Sequence, residues 1–281
     1  MSPSSPQPSL RVRVLRSGSA GNAILVETAS IRFLIDAGLP AETILRELDD
    51  REDNGVGQPP TAILITHEHD DHLKGAASAA RALGATVLLN EPTLRAAGSQ
   101  LAGAEVEVFR SDQPFRLGLL DVTPFPLPHD AAEPVGFVLA FNGTRVAVAC
   151  DLGEVTETLV EHARGADLVI LEANYDLRLM AVSRYPWFLK NRIVSPLGHL
   201  SNDGAARAAV SIATGAPQAV HLVHLSEVNN LAPLARDVVR AALWAERIET
   251  VQVEVVRPNS SGPWWAAPAA AWQATGVAVV G

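Results

Sequence analysis

Short apolar runs alternate with segments of helical periodicity along most of the chain. Residues 10–15 alternate apolar and basic side chains, as a strand with one buried face does. Residues 62–65 form a continuous apolar run, which is typical of a strand buried on both faces. Further strands are predicted at residues 23–27, 31–35, 86–89, 106–109, 115–117, 119–126, 135–141, 145–149, 167–172, 219–222 and 251–256. Helices are predicted at residues 40–48, 73–83, 155–164, 184–194, 203–214 and 231–248, with another that begins at residues 91–92. The pattern predicts an α/β chain with a strand-rich half followed by a half in which helices and strands alternate.

The two ends of the chain differ in composition from the region between them. Residues 1–9 are rich in Ser and Pro and lack the cationic start and apolar centre of a signal peptide, so they are predicted to be a disordered leader. Residues 10–257 are predicted to form one domain, because 281 residues with 48% hydrophobic side chains suffice for one large core. Residues 258–281 are rich in Ala, Pro and Trp, and this tail could pack on the domain, mediate self-association or be loose.

Composition limits the class of protein. No stretch of about 20 apolar residues is present, so no transmembrane helix and no membrane partner are predicted. The single cysteine, Cys150, excludes an intrachain disulfide and suits a reducing compartment, so the expected location is the cytoplasm. The net charge of −9 argues against a protein that binds duplex nucleic acid through a broad basic face. It does not exclude a nuclease, because bound divalent cations reverse the local charge of a site.

The strongest chemical signal is the sequence of residues 66–72, which holds three histidines and two aspartates between an apolar strand and a predicted helix. His67 and His69 lie two residues apart, so an extended backbone places them on the same side. Asp71 and His72 are adjacent and enter the helix, so they need not point with the first pair. This spacing suits two neighbouring metal sites better than one.

Other metal-binding residue types stand at the ends of apolar strands or in loops flanked by Gly and Pro: His129, Asp151, His199 and His224. Such positions present functional groups in α/β proteins. Imidazole and carboxylate together suit Zn²⁺, Mn²⁺ or Fe²⁺ rather than Ca²⁺, and the lack of cysteine among them does not single out zinc. The two remaining histidines are predicted to have no role in the site, His162 as a surface residue and His221 as a structural one.

Two features near the start of the chain could support such a site. Residues 17–22 form a small-residue turn, and the favoured interpretation is a β-turn, because Gly and Asn tolerate left-handed conformations. The alternative is a loop whose backbone N–H groups face a phosphate. Asp36 closes an apolar strand, where a carboxylate needs partners, so it is expected to orient a ligand histidine.

Longer motifs resemble one family. The pattern His67-x-His69-x-Asp71-His72, followed by His129, Asp151 and His224, resembles that of the metallo-β-lactamase superfamily. Six motifs look like those of the bacterial YycJ (WalJ) family within it, at residues 17–22, 34–38, 129–134, 184–187, 198–202 and 224–230. The resemblance covers roughly residues 12–243. The chain departs from the family at Tyr175, where a histidine is common.

The resemblance implies an αββα sandwich with the site at the edge shared by two β-sheets. It also implies a metal-dependent nuclease, of a family described as 5′→3′ exonucleases on DNA, so the expected partner is nucleic acid. It implies two divalent metal ions (Zn, Mn or Fe), the first held by His67, His69 and His129, the second by Asp71, His72 and His224, with Asp151 bridging. His199 matches a histidine of the family that does not bind metal and is a candidate proton donor to the leaving oxygen. Asp71 could also act as a base toward a bridging water.

The chemistry of phosphodiester cleavage favours the same function. Two metal ions about 3.5–4 Å apart generate a hydroxide near neutral pH and neutralise the charge of the phosphate. The departing sugar oxygen is a poor leaving group, so a proton donor such as His199 would add roughly 10²–10⁴-fold. Hydrolysis of a β-lactam needs no such donor on the far side.

Two other functions stay open. One is a small-molecule hydrolase of the same fold, such as a cyclic-nucleotide phosphodiesterase or a thioesterase, which the acidic net charge allows. The other is a non-catalytic binding or regulatory protein, which the intact ligand set disfavours. The sequence leaves open the metal, DNA or RNA as substrate, strand polarity and oligomeric state.

Five residues are weaker candidates for binding the substrate: Ser17, Asn22, Arg184, Ser201 and Asn202. For the motif at residues 184–187, the alternative is a structural loop with an aromatic anchor.

Overall fold

The computed structural model describes residues 10–28, 30–49, 59–216 and 218–267. In this part of the chain, two seven-stranded sheets stack face to face and helices cover both outer faces. This is the expected αββα sandwich. The predicted leader at residues 1–9 and the end of the predicted tail, residues 268–281, lie outside the described residues.

The elements follow the predicted order closely. The strands are β1 (Arg11–Arg16), β2 (Ala23–Glu27), β3 (Arg32–Ile35), β4 (Ala62–Leu64), β5 (Thr86–Asn90), β6 (Val106–Phe109), β7 (Phe115–Leu117), β8 (Leu120–Pro126), β9 (Val135–Phe141), β10 (Thr144–Ala149), β11 (Leu168–Glu172), β12 (Gln218–Val223), β13 (Val251–Val255) and β14 (Trp265–Ala266). The α-helices are α1 (Ala41–Leu48), α2 (Asp70–Leu73), α3 (Ala76–Leu83), α4 (Glu91–Ala97), α5 (Glu157–Ala163), α6 (Leu177–Val182), α7 (Trp187–Ile193), α8 (Asn202–Ile212) and α9 (Ala232–Ala245). No helix in the described ranges is both long enough and apolar enough to cross a bilayer.

Each sheet has an antiparallel part and a parallel part. The first sheet has the order β14-β1-β2-β3-β4-β5-β6, and the second has the order β13-β12-β11-β10-β9-β8-β7. Pairing is antiparallel from β14 to β3 and from β7 to β10, and it is parallel from β3 to β6 and from β10 to β13. The predicted division into a strand-rich half and an α/β half is therefore wrong, because the change from antiparallel to parallel pairing occurs inside each sheet.

Three apolar layers hold the sandwich together. Inner faces of both sheets meet between them, with Phe33 from β3 and Phe137 from β9 fully buried there. The outer face of the first sheet packs against α1 and α3, and that of the second packs against α5, α8 and α9. Burial of these faces supplies most of the driving force for folding.

The described part of the predicted tail packs on the domain. Strand β14 pairs antiparallel with β1, and Val12 lies opposite Trp265. The backbone N–H of Gly262 donates to the Val14 carbonyl at 2.8 Å. The Arg11 guanidinium lies 4.1 Å from the centre of the Trp264 ring, which adds a cation–π contact.

Helix boundaries differ from the prediction on either side of the site. The helix predicted at residues 73–83 is interrupted between α2 and α3, where the Gly75 N–H donates to the Ala37 carbonyl at 2.9 Å instead of to a carbonyl of the helix. A Cβ at Gly75 would lie 1.7 Å from the Leu39 carbonyl oxygen. The helix predicted at 184–194 is shorter, and α6 precedes it. The Asp176 side chain accepts hydrogen bonds from the first N–H groups of α6, and this local cap was not recognised from the sequence.

Parallel strands of both sheets end at one edge of the sandwich, and polar residues follow them there. Asp36 follows β3, Asp151 follows β10 and His224 follows β12. These residues have φ angles of 62°, 59° and 56°, a left-handed conformation that is uncommon outside glycine. The chain thus turns sharply at the end of each strand, and the side chain is aimed along the edge.

Candidate metal centre

The seven residues predicted as metal ligands come together at this edge in two groups that share Asp151. The first group contains His67, His69, His129 and Asp151, and the second contains Asp71, His72, Asp151 and His224. Within each group, one potential ligand atom from every residue lies within 4.8 Å of the others. The structure therefore assembles residues that are separated by more than half of the chain.

The first group has the spacing of a small coordination sphere. His67 Nε2 lies 3.1 Å from His69 Nδ1, and His69 Nδ1 lies 3.2 Å from His129 Nε2. Asp151 Oδ2 lies 3.5 Å from His67 Nε2 and 3.8 Å from His129 Nε2. Ligand bonds of about 2.0–2.1 Å in a tetrahedral site place ligand atoms about 3.3 Å apart. The four atoms fit this geometry.

The second group shares the same carboxylate oxygen. Asp151 Oδ2 lies 2.9 Å from His72 Nε2. Asp71 Oδ2 lies 3.7 Å from His72 Nε2 and 3.3 Å from His224 Nε2. One oxygen of Asp151 thus faces ring nitrogens of both groups, which is the position that a bridging ligand requires.

The charge of Asp151 and the neutral form of His67 suit a divalent cation. Asp151 is 1% exposed, and its Oδ1 lies 2.9 Å from His224 Nδ1. Burial opposes its ionisation, but the adjacent His224 and His72 rings outweigh burial and hold the pKa of Asp151 well below its usual range. Burial and the neighbouring His72 lower the pKa of His67, which favours the neutral imidazole that binds metal. At His72 and His224 burial lowers the pKa, but the Asp151 carboxylate outweighs burial and raises it, so a metal ion that binds these two rings must displace their protons. An anionic buried carboxylate among convergent imidazoles is a donor set that fits a bound metal ion.

Hydrogen bonds on the side away from the site fix the orientation of the His72 and His129 rings. His72 Nδ1 lies 2.7 Å from Asp36 Oδ2, so a protonated Nδ1 donates to the carboxylate and directs Nε2 toward the site. His129 Nδ1 lies 2.8 Å from the Gly198 carbonyl oxygen, with the same consequence for its ring. Asp36 also accepts hydrogen bonds from the N–H and hydroxyl of Thr66 at 2.9 and 3.0 Å. Asp36 therefore occupies the position that the sequence predicted for it.

Glu172 belongs to the site and was missed in the sequence analysis. It is fully buried at the end of β11, and its Oε1 lies 2.7 Å from His199 Nδ1 and 3.0 Å from His224 Nδ1. Its Oε2 accepts from the N–H groups of Leu152 at 2.9 Å and Leu200 at 3.2 Å. A charged residue that closes an apolar strand was the available signal, as it was for Asp36.

His199 stands beside both groups. Its side chain is 20% exposed, and its Nδ1 donates to Glu172, which leaves Nε2 available for other contacts. Burial disfavours the charged ring, but the Glu172 carboxylate outweighs burial and raises the pKa of His199. The structure thus places a protonatable ring next to the potential ligands.

The edge opens into a cleft of about 520 Å³ that is lined in part by Asp71, Asp151 and His199. Its opposite wall comes from α7 and the residue pair before it, with Tyr185 and Arg192 among the lining residues. Arg192 forms two hydrogen bonds to the Asp130 carboxylate, at 2.6 and 3.1 Å. Tyr185 belongs to the motif at residues 184–187 but was not itself a candidate. Arg192 was not predicted to line the site, because nothing in its spacing distinguishes it from other residues of a surface helix.

The turn at residues 17–22 holds the ligand loops in place. Ser17 and Asn22 are buried, contrary to a role in direct contact with the substrate. The Ser17 hydroxyl accepts from the His224 N–H at 2.8 Å. The Asn22 side chain donates to the Asp71 carbonyl at 3.2 Å, and its Nδ2 lies 3.0 Å from His72 Nε2. Both side chains thus fix the backbone of the second group.

The other weak candidates also lie outside the cleft wall. Ser201 caps α8 through a 3.0 Å hydrogen bond from the Gly204 N–H, as the sequence allowed. Asn202 is fully buried and donates to the Asn230 side chain at 2.9 Å. Arg184 is exposed and is not among the residues that line the cleft. Trp187 is 76% exposed, so it does not anchor the loop at residues 184–187, whereas Tyr185 is half-buried.

Three further residues have defined positions. Tyr175 is buried, its backbone pairs with Ser201, and it is not among the residues that line the cleft. His162 is half-buried and stacks on Phe125 with 5.0 Å between ring centres, so its prediction as a surface residue is wrong. His221 is buried inside β12, in a structural position.

Residues 31–225 match the model of the beta-lactamase superfamily domain. The chain is 34% identical over 233 residues to Exodeoxyribonuclease YycJ of Bacillus anthracis, an alignment that covers 81% of this chain and 86% of that protein. It is 33% identical over 227 residues to Exodeoxyribonuclease WalJ of Streptococcus pneumoniae serotype 2, which covers 79% of this chain and 84% of that protein. Among solved structures, the metallo-beta-lactamase fold protein YhfI from Bacillus subtilis superposes with a TM-score of 0.66 at 17% identity, covering 92% of this chain and 100% of YhfI. That likeness concerns the fold alone.

Proposed function

This chain belongs to the beta-lactamase superfamily and, within it, to the YycJ/WalJ family, and from that premise we propose that it is an exonuclease on DNA. It is a metal-dependent hydrolase of the metallo-β-lactamase fold. The proposal adds the substrate, a 5′→3′ direction and two divalent ions. The observation that carries it is the identity to proteins named exodeoxyribonucleases, over most of both chains.

The ligand groups support a site with two ions. In the proposal, His67, His69 and His129 would hold one ion, Asp71, His72 and His224 would hold the second, and Asp151 would be shared by both. Zn²⁺ or Mn²⁺ suits this mixture of imidazole and carboxylate, and Fe²⁺ has similar preferences. Ions bound there would supply positive charge against the phosphate and activate a water molecule as the nucleophile.

His199 is proposed to protonate the leaving sugar oxygen. Its Nδ1 is held by Glu172, so its Nε2 can carry the proton that the leaving group needs. The raised pKa of His199 keeps that proton bound near neutral pH. Burial opposes ionisation of Asp71, but its hydrogen bond with His224 outweighs burial and lowers the pKa of the carboxyl. Asp71 is therefore anionic and can accept a proton as well as bind metal.

The proposal can be tested with single-stranded DNA that carries a label at one known end. Purified protein with Mn²⁺ or Zn²⁺ should release nucleotides from single-stranded DNA, and a 5′ label should appear first in mononucleotides. His199→Ala should keep its metal content and lose about 10²–10⁴-fold in turnover. Asp151→Ala should lose metal, because its carboxylate is shared by both groups.

Three results would contradict the proposed function, its direction or its preference for DNA. If no nucleotides are released with any of these metals while a cyclic nucleotide or a thioester is hydrolysed, the protein is a small-molecule hydrolase of the same fold. Early release of a 3′ label would reverse the proposed direction. An equal rate on RNA of the same sequence would remove the preference for DNA.

A further inference from the structure

The segment from residue 177 to residue 198 has an unusual charge. It contains four cationic side chains and no Asp or Glu, whereas the whole chain has a net charge of −9. The cationic residues are Arg178, Arg184, Lys190 and Arg192. Arg178 and Arg184 are exposed, and neither has an ion pair within the described ranges. The segment is therefore a local cationic surface on an acidic protein.

The same segment exposes large apolar side chains. Trp187 is 76% exposed, Phe188 is 70% exposed and Val182 is 80% exposed. Leu177, Val194 and Leu197 of the segment are also exposed. Clustered exposed apolar side chains of this kind mark interaction sites rather than ordinary surface.

The middle of the segment, within residues 185–193, contributes to the wall of the cleft, and the parts on either side do not line it. Tyr185, Leu189 and Arg192 line the cleft on one side of α7. Trp187 and Phe188 follow Tyr185 within four residues, which is about one helical turn. Three aromatic rings thus lie close together in the chain, the first in the wall of the cleft and the next two on the adjoining surface.

We propose that residues 177–198 bind single-stranded nucleic acid that extends from the cleft, with Trp187 and Phe188 stacking on bases and Arg178, Arg184 and Lys190 contacting phosphates. This inference rests on the proposed function, because it names the part of the substrate that lies beyond the cleaved bond. Single-strand binding surfaces combine cationic side chains with aromatic rings on which bases stack. A substrate of one negative charge per nucleotide complements the charge of the segment.

A second copy of this chain fits the surface less well. Symmetric dimers place the same patch of both subunits in contact. The cationic side chains of one segment would then face those of the other with no acidic residue of either segment between them. Charge therefore favours an anionic strand over self-association.

Binding is measured on the metal-loaded protein with a labelled, phosphorothioate-linked DNA of 12 nucleotides, which resists cleavage. The double variant Trp187→Ala/Phe188→Ala should bind about 30-fold more weakly or worse, because stacking is lost for two bases and each contributes about 5-fold or more. Trp244→Ala is the matched control, since Trp244 is 75% exposed on α9, outside the segment. It should bind like the parent protein.

Salt dependence tests the cationic part separately. For single strands, a plot of log affinity against log salt concentration has a negative slope, and its magnitude decreases by about 0.7 for each phosphate contact removed. Arg184→Ala should reduce the slope by that amount, whereas Arg240→Ala, an exposed arginine on α9, should not. Single-stranded RNA of the same sequence should also bind, and duplex DNA should bind more weakly, because its bases are not free to stack.

The outcomes separate this inference from the proposed function. Unchanged DNA affinity in the Trp187/Phe188 variant would overturn the inference, even if the parent protein degrades DNA. A change of oligomeric state in that variant with unchanged DNA affinity would also overturn it and would assign the surface to a protein contact. If the parent protein degrades no nucleic acid, the proposed function fails, but weaker binding in the variants still supports the surface.

Discussion

At the scale of single residues, Glu172 contacts both the proposed proton donor, His199, and the potential metal ligand His224. Its two oxygens face two histidine rings and two backbone N–H groups in the fully buried end of β11. Burial opposes ionisation, but the His199 ring outweighs burial and lowers the pKa of Glu172. A carboxylate here fixes which nitrogen of His199 and of His224 carries a proton.

Replacing Glu172 by Gln should therefore impair chemistry more than folding. The amide keeps the size of the side chain and one acceptor oxygen, but it removes the negative charge that holds both rings. Loss of such a partner typically costs about 10–100-fold in activity or metal affinity. Turnover of DNA and metal content per chain are the measurements, with Glu254→Gln, an exposed residue of β13, as the control. Wild-type turnover with unchanged metal content would show that the charge is not needed.

His221 makes a separate prediction about pH. It lies on the same face of β12 as Ala219 and Val223, which belong to the core between the sheets. Burial lowers the pKa of His221 to about 4, from 6.5. Between these values the unfolded chain binds more protons than the folded one, so stability falls as pH drops from 6.5 to 4.

The variant His221→Leu should lose this dependence. The shift corresponds to about 3 kcal/mol by pH 4, which the parent protein loses and the variant keeps. Denaturant unfolding at pH 7 and pH 4 measures the difference, and His162→Gln controls for the loss of a histidine elsewhere. An equal loss of stability in parent and His221→Leu would contradict the prediction.

At the scale of elements, the sequence predicted where strands end, but it did not predict the backbone conformation of the residues that follow them. Apolar runs correctly placed Asp36, Asp151 and His224 just after strands. Their left-handed φ angles leave no signal in the sequence, because residues other than glycine adopt this conformation only where the surrounding structure imposes it. The sequence also could not show that Ser17 and Asn22 contact the second ligand group, since those contacts join segments about 50 to 200 residues apart.

Gly38 shows how closely these elements approach one another. A Cβ on this residue would lie 1.7 Å from the Asp71 carbonyl oxygen and 2.7 Å from the His72 N–H nitrogen. The backbone of the ligand loop therefore lies directly on Gly38. Only hydrogen fits at that position.

Gly38→Ala should displace the loop that carries Asp71 and His72. We expect a loss of stability of about 3 kcal/mol, as in other overpacked sites, together with weaker metal binding by the second group. Gly84→Ala is the control, because its added Cβ would have no atom within 4 Å, so only its left-handed φ of 66° opposes alanine, at about 1–2 kcal/mol, and metal binding should be unchanged. Metal titration and thermal unfolding measure both effects. Equal behaviour of the two variants would show that the loop can yield without cost.

At the scale of the whole molecule, the candidate site is assembled from both sheets. His67 and His69 follow β4 of the first sheet, whereas His129, Asp151 and His224 follow strands of the second. The hydrophobic pattern predicts most strands and helices, but it carries no information on which sheet a strand joins. The stacking of the two sheets was implied by the resemblance to a known family, and so was the division of ligands between two ions.

Because the ligands come from both sheets, bound metal should hold the two halves of the sandwich together. An ion that binds only the folded state stabilises it by about 2.7 kcal/mol at 100 times its dissociation constant. Adding a chelator to metal-loaded protein should therefore lower the midpoint of urea unfolding, and Mn²⁺ or Zn²⁺ should restore it. Asp151→Ala should show neither change, because it lacks the oxygen that faces both groups. If the chelator leaves the midpoint of the parent protein unchanged, the metal does not connect the sheets, and the convergence of ligands at their shared edge serves catalysis alone.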